Sequence, residues 1–241
     1  MSQVMLSSVV HQIDGQAYES RLAYDPSHKG PRPGLLMAPN WMGIGAGAEK
    51  IAEAVASKGY VVLIADLYGQ AVRPGNMQEA AAAMTPLKED RVLLRKRILA
   101  AFEVLRGQGL AAVDPLRLAT FGFCFGGCCA LELARSGAPL RAAVSFHGTL
   151  DTPTPALAGE IKGSVLVLHG AADPFVPQEQ LPAFAQEMDG AGVDWQLVSY
   201  GGAVHSFTDV HASVPGKMMY DARTARRAFV AMHNLFDEVF A

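Results

Sequence analysis

Three residues of this chain have the types and the order that nucleophilic catalysis requires. Cys124 lies between Gly122 and Gly126 in "GFCFGG", Asp173 lies in "HGAADPFVP", and His205 lies in "GGAVHSF". A thiol attacks an acyl carbonyl when a histidine takes up its proton and a carboxylate orients that histidine. The turn G-x-C-x-G corresponds to the pattern G-x-S-x-G with cysteine in place of serine, and that pattern is typically followed by an acid and then by a histidine.

Each of these residues also has an interpretation without chemistry. Free cysteine is among the most buried residue types, so the bend around Cys124 could be a small-residue turn with an inert thiol. An aspartate before a proline is often only a turn former, and a histidine in a loop is often only a surface residue. Their joint occurrence, in this order and after G-x-C-x-G, favours a triad of Cys124, Asp173 and His205.

The pattern around these residues predicts an α/β fold. Short apolar runs bounded by glycine, proline or polar residues are typical of strands buried on both faces, and helical patterns separate them. We therefore expect a mostly parallel central sheet with helices on both faces. Asp14-Gly15 divides an alternating segment and predicts an N-terminal β-hairpin. The segment "LKEDRVLLRKRILAAFEVLRGQG" is interpreted as one long helix. The runs taken as strands are "GLLMAP", "YVVLIADL", "RLATFGF", "RAAVSFHG", "SVLVLHG" and "DWQLVSY".

The candidate triad should lie at the carboxyl edge of this sheet, where ligands bind in open α/β folds. Cys124 directly follows one strand and precedes a helix, whose N-terminal N–H groups favour a thiolate. Asp173 and His205 follow two later strands. Because all three come after strand ends, we expect them to meet at one edge.

Attack on a carbonyl also requires two donors for the developing negative charge. One is the backbone N–H of Phe125, the residue after the nucleophile. The other comes from the loop after "GLLMAP", at Trp41 or its neighbour Asn40.

The composition limits the function classes. With 241 residues, half of them hydrophobic, residues 1–241 are predicted to form a single domain. A net charge of −3 with dispersed charges predicts neither a nucleic-acid nor a membrane partner, and no segment is typical of a signal peptide or a membrane span. The three cysteines are crowded in one segment, which argues against disulfides and against zinc. We expect a cytoplasmic monomer or small homo-oligomer that acts on a small molecule without a metal.

With these motifs the chain resembles the dienelactone hydrolase family, the cysteine-using branch of the α/β-hydrolases. The resemblance covers nearly the whole chain and implies a sheet of about eight strands. It implies hydrolysis of lactone or carboxylic ester bonds without a cofactor, with Cys124, Asp173 and His205 as catalytic residues and Trp41 and Phe125 as oxyanion donors. The matching segments are "APNWMG", "GYVVLIADLYG", "GFCFGG", "HGAADPFVP", "GGAVHSF" and "MMYDARTARRAFVAMHNLF".

The chain departs from the family pattern at two positions. Asn40 stands where dienelactone hydrolases characteristically have a glutamate that helps to activate the thiol. Asp209 lies near the place of an arginine that holds the substrate carboxylate, and an acid there would repel an anionic substrate. Arg91 and Arg95 are the candidates for a substitute clamp, although charges on a helix are more often solvated. We therefore predict a substrate other than the muconate-derived dienelactone.

Two other function classes remain open from the sequence. In the first, Cys124 is a redox-active or sensing thiol that Cys128, one helical turn further on, resolves as a disulfide. In the second, the chain is a non-catalytic binding protein on a hydrolase fold, because a fold by itself does not determine a function.

Overall fold

The computed structural model describes residues 3–241. Its strands are β1 (Met5–Ile13), β2 (Gln16–Tyr24), β3 (Arg32–Ala38), β4 (Val61–Ile64), β5 (Val113–Phe123), β6 (Ala142–Phe146), β7 (Ser164–Gly170), β8 (Trp195–Tyr200), β9 (Ser213–Val214) and β10 (Met218–Met219). Its helices are α1 (Ala46–Ala56), α2 (Met77–Glu89), α3 (Arg91–Gly107), α4 (Phe125–Arg135), α5 (Gln180–Gly190) and α6 (Ala222–Val239).

Within the described residues, eight strands form one mixed sheet in the order β1-β2-β4-β3-β5-β6-β7-β8. This confirms the α/β fold class with a mostly parallel sheet of eight strands. The N-terminal hairpin is confirmed as well: β1 and β2 are antiparallel, and Asp14 and Gly15 between them have φ values of 51° and 79°. Positive φ at both turn residues is what a two-residue hairpin loop of type I′ requires.

Contacts divide the chain into two compact units, one that ends at Thr120 and one from Phe121 to Ala241. In the first unit β2 pairs antiparallel with β4, and β4 pairs parallel with β3. The residues of β3 and β4 are almost all buried, which explains why these two strands appear in the sequence as continuous apolar runs. The prediction of one domain over residues 1–241 stays a prediction.

The prediction of a single helix from Leu87 to Gly109 is wrong. The chain forms two helices, α2 and α3, which are interrupted at Asp90 in an extended conformation with φ −107° and ψ 91°. The Asp90 carboxylate accepts a hydrogen bond of 2.9 Å from the backbone N–H of Leu93 and so caps α3. An aspartate at this position satisfies an N–H group that a continuous helix would have satisfied with a carbonyl.

In the second unit β6, β7 and β8 run parallel, with Val144 opposite Leu166 and Leu166 opposite Gln196. Helix α4, which directly follows β5, is buried along its whole length. Its last residue, Arg135, forms buried ion pairs of 3.0 Å with Glu132 and 2.7 Å with Glu187. These contacts fix the helix whose first turn carries the site.

No helix of the described residues combines the length and the apolar character that crossing a membrane requires.

Candidate active site

Cys124 occupies the sharp bend between β5 and α4. It is the N-cap residue of α4, with φ 55° and ψ −118°, a conformation that costs a non-glycine residue about 1–3 kcal/mol. The bend is held in place by the Cys124 N–H, which donates to the carbonyl of Phe146 at 3.0 Å. Cys124 is half-buried, whereas Cys128 and Cys129 are buried. Among the three cysteines, the strained one is therefore the least buried.

Gly127, the last glycine of "GFCFGG", allows α4 to approach the end of β6 and the residues after it. A Cβ atom built on Gly127 would lie 2.6 Å from Oγ of Ser145 and 3.0 Å from Cα of Gly148. A Cβ atom on Gly148 would lie 2.8 Å from the backbone nitrogen of Cys128. Real Cβ atoms essentially never come so close, so this crossing requires glycine on both sides.

His205 and Asp173 form a buried pair. Nδ1 of His205 lies 2.7 Å from Oδ2 of Asp173, and the two residues are 5% and 3% exposed. The other carboxylate oxygen of Asp173 accepts the N–H of Phe175 at 2.8 Å. Asp173 lies just after β7 and His205 after β8, as the sequence predicts. The carboxylate is thus fixed at both oxygens, and the imidazole is oriented through Nδ1.

The environment of His205 favours its protonated form. Burial lowers its pKa, but hydrogen bonds to Asp173 and to the thiol of Cys124 outweigh burial and raise the pKa to about 10. Since Nδ1 contacts Asp173, Nε2 is the nitrogen left for Cys124. The structure therefore brings Cys124, His205 and Asp173 together at one place, and the contacts with Asp173 and Cys124 favour the protonated form of His205.

The main chain of His205 is anchored by a small hairpin that sequence reasoning missed. The strands β9 and β10 pair antiparallel, and the N–H of His205 donates to the carbonyl of Lys217 at 3.1 Å. The N–H of Met219 donates to the carbonyl of His205, also at 3.1 Å. Strands of two residues are too short for a periodicity signal. Because β8 ends at Tyr200, the backbone of His205 has its hydrogen-bond partners in this hairpin and not in the central sheet.

His147 lies close to Cys124, which the sequence does not indicate. It follows β6 with φ 40°, is buried, and its Nδ1 lies 3.2 Å from the backbone nitrogen of Cys124. Its ring is 5.1 Å from the ring of His205, in a T-shaped arrangement. Burial, followed by the charge of His205, holds the pKa of His147 well below its ordinary value of 6.5. The sequence shows only a strand-end histidine before a glycine, which is more typical of a structural residue than of a site residue.

Asn40 and Trp41 lie in the loop after β3, in the first unit. The side-chain oxygen of Asn40 accepts the N–H of Met42 at 3.0 Å, and its carbonyl accepts the N–H of Gly43 at 2.9 Å. The hydroxyl of Tyr68 donates to the carbonyl of Trp41 at 2.9 Å. Asn40 therefore forms a side-chain turn within its own loop, a role for which a glutamate is too long.

The other predicted site residues fall into different surroundings. Phe125, the predicted oxyanion donor, is the first residue of α4 and is buried. Arg91 is the first residue of α3 and is buried as well, contrary to the solvated helix charge that the sequence favours, whereas Arg95 is half-buried. Asp209 shares the loop of His205, where its carboxylate accepts the N–H of His211 at 2.9 Å.

Among the residues that the structure describes, no group of three or more histidine, cysteine, aspartate or glutamate side chains is placed to hold a metal ion.

A cysteine at a strained strand-to-helix bend, with a histidine and an aspartate after later strands of a mostly parallel sheet, defines the α/β-hydrolase class. The family model of the dienelactone hydrolase family matches residues 20–240. The chain therefore belongs to the dienelactone hydrolase family, and its class is that of the hydrolases.

Two solved structures and one curated relative show how close the likeness is. The chain is 40% identical to a protein named m3DLH, with a TM-score of 0.91 over 99% of both chains. It is 38% identical to a dienelactone hydrolase-like promiscuous phosphotriesterase from metagenomic libraries, with a TM-score of 0.90 over 98% of both chains. It is 31% identical to a probable 2-oxo-3-(5-oxofuran-2-ylidene)propanoate lactonase of Bradyrhizobium sp. over 203 residues, 78% of this chain and 79% of the relative.

Proposed function

We propose that this protein hydrolyses lactones or carboxylic esters through a Cys124–His205–Asp173 triad and an acyl-cysteine intermediate, without a cofactor. The observation that carries the proposal is the chain of hydrogen bonds from Asp173 through His205 to the thiol at the strained bend. A buried imidazole between a carboxylate and a thiol is the arrangement in which the imidazole can take up the proton of the thiol.

The reaction has two halves. In the first, the Cys124 sulfur attacks the acyl carbon, the C–S bond forms, the bond to the leaving oxygen breaks, and the His205 imidazolium gives its proton to that oxygen. In the second, neutral His205 takes a proton from water, the resulting hydroxide attacks the thioester, and the C–S bond breaks. The products are the carboxylic acid and the original ion pair, and Asp173 stabilises the imidazolium throughout.

The negative charge on the carbonyl oxygen is assigned to two backbone donors. The N–H of Phe125, at the start of α4, benefits from the positive end of the helix dipole. Trp41 is the second donor that the family resemblance implies, and this assignment stays a prediction, as do the cytoplasmic location and the state of monomer or small homo-oligomer.

The proposed substrate is not the muconate-derived dienelactone. Asn40 has no proton-accepting carboxylate, and its side-chain oxygen already accepts the N–H of Met42. Asp209 adds a negative charge four residues after His205, in a loop where an anionic substrate would need a positive one. The proposed clamp residues Arg91 and Arg95 lie in the other unit and stay predictions. A neutral ester or lactone fits the negative charge of Asp209 better than a substrate that carries a carboxylate.

Phosphotriesters are a second candidate substrate class. The observation that favours them is the 38% identity, over nearly the whole chain, to a dienelactone hydrolase-like protein described as a promiscuous phosphotriesterase. The same thiolate can attack phosphorus instead of an acyl carbon, so this candidate uses the same residues.

The test is a panel of p-nitrophenyl esters, simple lactones, a dienelactone and a p-nitrophenyl phosphotriester. Turnover is measured before and after partial alkylation with iodoacetamide, and the alkylated cysteine is mapped by mass spectrometry. We expect turnover of neutral esters or lactones to disappear in step with alkylation of Cys124, while Cys128→Ser keeps its activity. A Cys124→Ala variant that turns over any of these substrates at the wild-type rate would overturn the mechanism.

The same panel separates the alternatives. If Cys124 reacts no faster than an ordinary thiol and no substrate is hydrolysed, the protein is a binding protein on a hydrolase fold. A Cys124–Cys128 disulfide that forms under mild oxidation and is absent in Cys128→Ser, without any hydrolysis, would favour the redox function.

A further inference from the structure

We propose that His147, as a neutral ring with its proton on Nε2, is a positioning residue that connects the backbone of the nucleophile with the loop of the catalytic histidine. The inference rests on the proposed function, because it assigns a role within the same site. His147 itself contacts no reacting atom. It acts through the two hydrogen bonds of its ring.

One hydrogen bond reaches the bend. Nδ1 of His147 lies 3.2 Å from the backbone nitrogen of Cys124, which also donates to the Phe146 carbonyl at 3.0 Å. The N–H is thus shared between two acceptors in consecutive residues. Because Cys124 has φ 55°, its conformation persists only when neighbouring groups hold it, and His147 is one of these groups.

The other hydrogen bond reaches the histidine loop. Nε2 of His147 lies 2.8 Å from Oγ1 of Thr208, three residues after His205. Since Nδ1 accepts a hydrogen bond from a backbone N–H, a neutral ring must carry its proton on Nε2 and donate to Thr208. The ring in this tautomer therefore connects the backbone of Cys124 with the side chain of Thr208.

Ring packing adds a third constraint. The His147 ring meets the rings of His205 at 5.1 Å and Phe207 at 4.9 Å, both in T-shaped arrangements. His147 therefore touches the nucleophile residue on one side and two residues of the histidine loop on the other. The hydrogen bond between Cys124 and His205 depends on the separation of these two segments, and His147 is the side chain that spans them.

The experiment uses substitutions of Thr208 and a reactivity probe that needs no known substrate. Thr208→Val removes the acceptor of the His147 proton and keeps the branched shape, while Thr208→Ser keeps the hydroxyl and serves as the matched control. The rate of Cys124 alkylation by iodoacetamide is measured for each protein and mapped by mass spectrometry. The tautomer of His147 is read from the ¹⁵N chemical shifts of its ring.

We expect the wild type and Thr208→Ser to show the Nε2–H tautomer and the same alkylation rate. Thr208→Val should leave the Nε2–H of His147 without an acceptor, shift the ¹⁵N signal of Nε2, and slow both alkylation and kcat about tenfold, a change equivalent to about 1.4 kcal/mol, with KM nearly unchanged. His147→Phe keeps the ring contacts and removes both hydrogen bonds, so it should slow Cys124 at least as much. Circular dichroism of each variant checks that it is folded.

Two results would overturn the inference. One is an Nδ1–H tautomer or a doubly protonated ring in the wild type, because either excludes the bond from Cys124 N–H. The other is an unchanged alkylation rate in folded Thr208→Val. Failure of the proposed function looks different: Cys124 would then react like an ordinary thiol already in the wild type.

Discussion

The loops after β6 and β8 each carry a buried histidine, and the two rings lie 5.1 Å apart, yet their protonation is opposite. His205 has its pKa raised to about 10, while the pKa of His147 is held well below 6.5. Burial lowers the pKa of both rings. The difference arises from the partners, since His205 contacts a carboxylate and a thiol, and His147 contacts a backbone N–H and a hydroxyl.

The opposite pKa shifts mean that, of the two neighbouring rings, only His205 is protonated at neutral pH. A second imidazolium next to His205 would cost electrostatic energy, and the neutral His147 avoids it. The positive charge therefore lies on His205, which contacts Cys124, whereas the neutral ring of His147 bonds the backbone of Cys124 and the hydroxyl of Thr208.

The largest effect should follow from removal of the charged ring. His205→Ala leaves Cys124 without a proton acceptor and should lower kcat/KM for the best ester of the panel at least about 10,000-fold, as the loss of a triad histidine does elsewhere. The control is His211→Ala, an exposed histidine of the same segment, which should retain full activity. Near-normal turnover in folded His205→Ala would remove His205 from the mechanism.

Loss of the carboxylate should come next. Asp173→Asn keeps the shape of the side chain but removes the negative charge that stabilises the imidazolium, so kcat should fall about 100- to 1,000-fold. The pKa of His205, followed by NMR titration, should drop below its value of about 10. Asp221→Asn, in which a good N-cap replaces another at the start of α6, is the control. An unchanged pKa in Asp173→Asn would contradict the cause assigned to it.

The neutral ring should show itself in the acid stability of the protein. Because the pKa of His147 is lower in the folded state than in the unfolded chain, its contribution is present above pH 6.5 and is lost as the pH falls. Between pH 6.5 and 5.5, the free energy of unfolding of the wild type should fall by about 1 kcal/mol more than that of His147→Phe. Urea unfolding of both proteins at pH 6.5 and at pH 5.5 measures this difference. Parallel pH profiles would mean that His147 titrates normally.

The sequence was sufficient for the parts of the fold that depend on pattern. Apolar runs identified the strands of the sheet, and Asp14-Gly15 identified the first turn. The break at Asp90 was missed because the helical periodicity continues across it, although aspartate is a good N-cap. The strands β9 and β10 were missed because two residues carry no period, yet they supply the backbone partners of His205.

The candidate site divides in the same way. The structure brings Cys124, Asp173 and His205 together in the order that the motifs predict. The role of His147 was not predictable, because it depends on a φ of 40° and on the hydroxyl of Thr208 from a distant segment. The side-chain turn of Asn40 also depends on local backbone geometry, whereas the sequence shows only a missing carboxylate. The residue types therefore indicated the candidate site, whereas the hydrogen bonds of His147 and Asn40 depend on backbone conformation, which the sequence does not show.

The smallest effect concerns the aromatic neighbours of the two histidines. Phe175 contacts His205 at 5.1 Å and is 46% exposed, whereas Phe207 contacts His147 at 4.9 Å and is fully buried. An exposed ring edge next to the reacting histidine can touch substrate, so Phe175→Leu should change KM about two- to fivefold with little change in stability.

Phe207→Leu is the matched substitution on the other side. It should lower the free energy of unfolding by about 1 kcal/mol, because a buried ring is replaced by a smaller side chain, and leave KM unchanged. Urea unfolding and the kinetics of the best ester measure both variants. If Phe207→Leu changed KM and Phe175→Leu changed only stability, the assignment of substrate contact to the His205 side and of structural packing to the His147 side would be reversed.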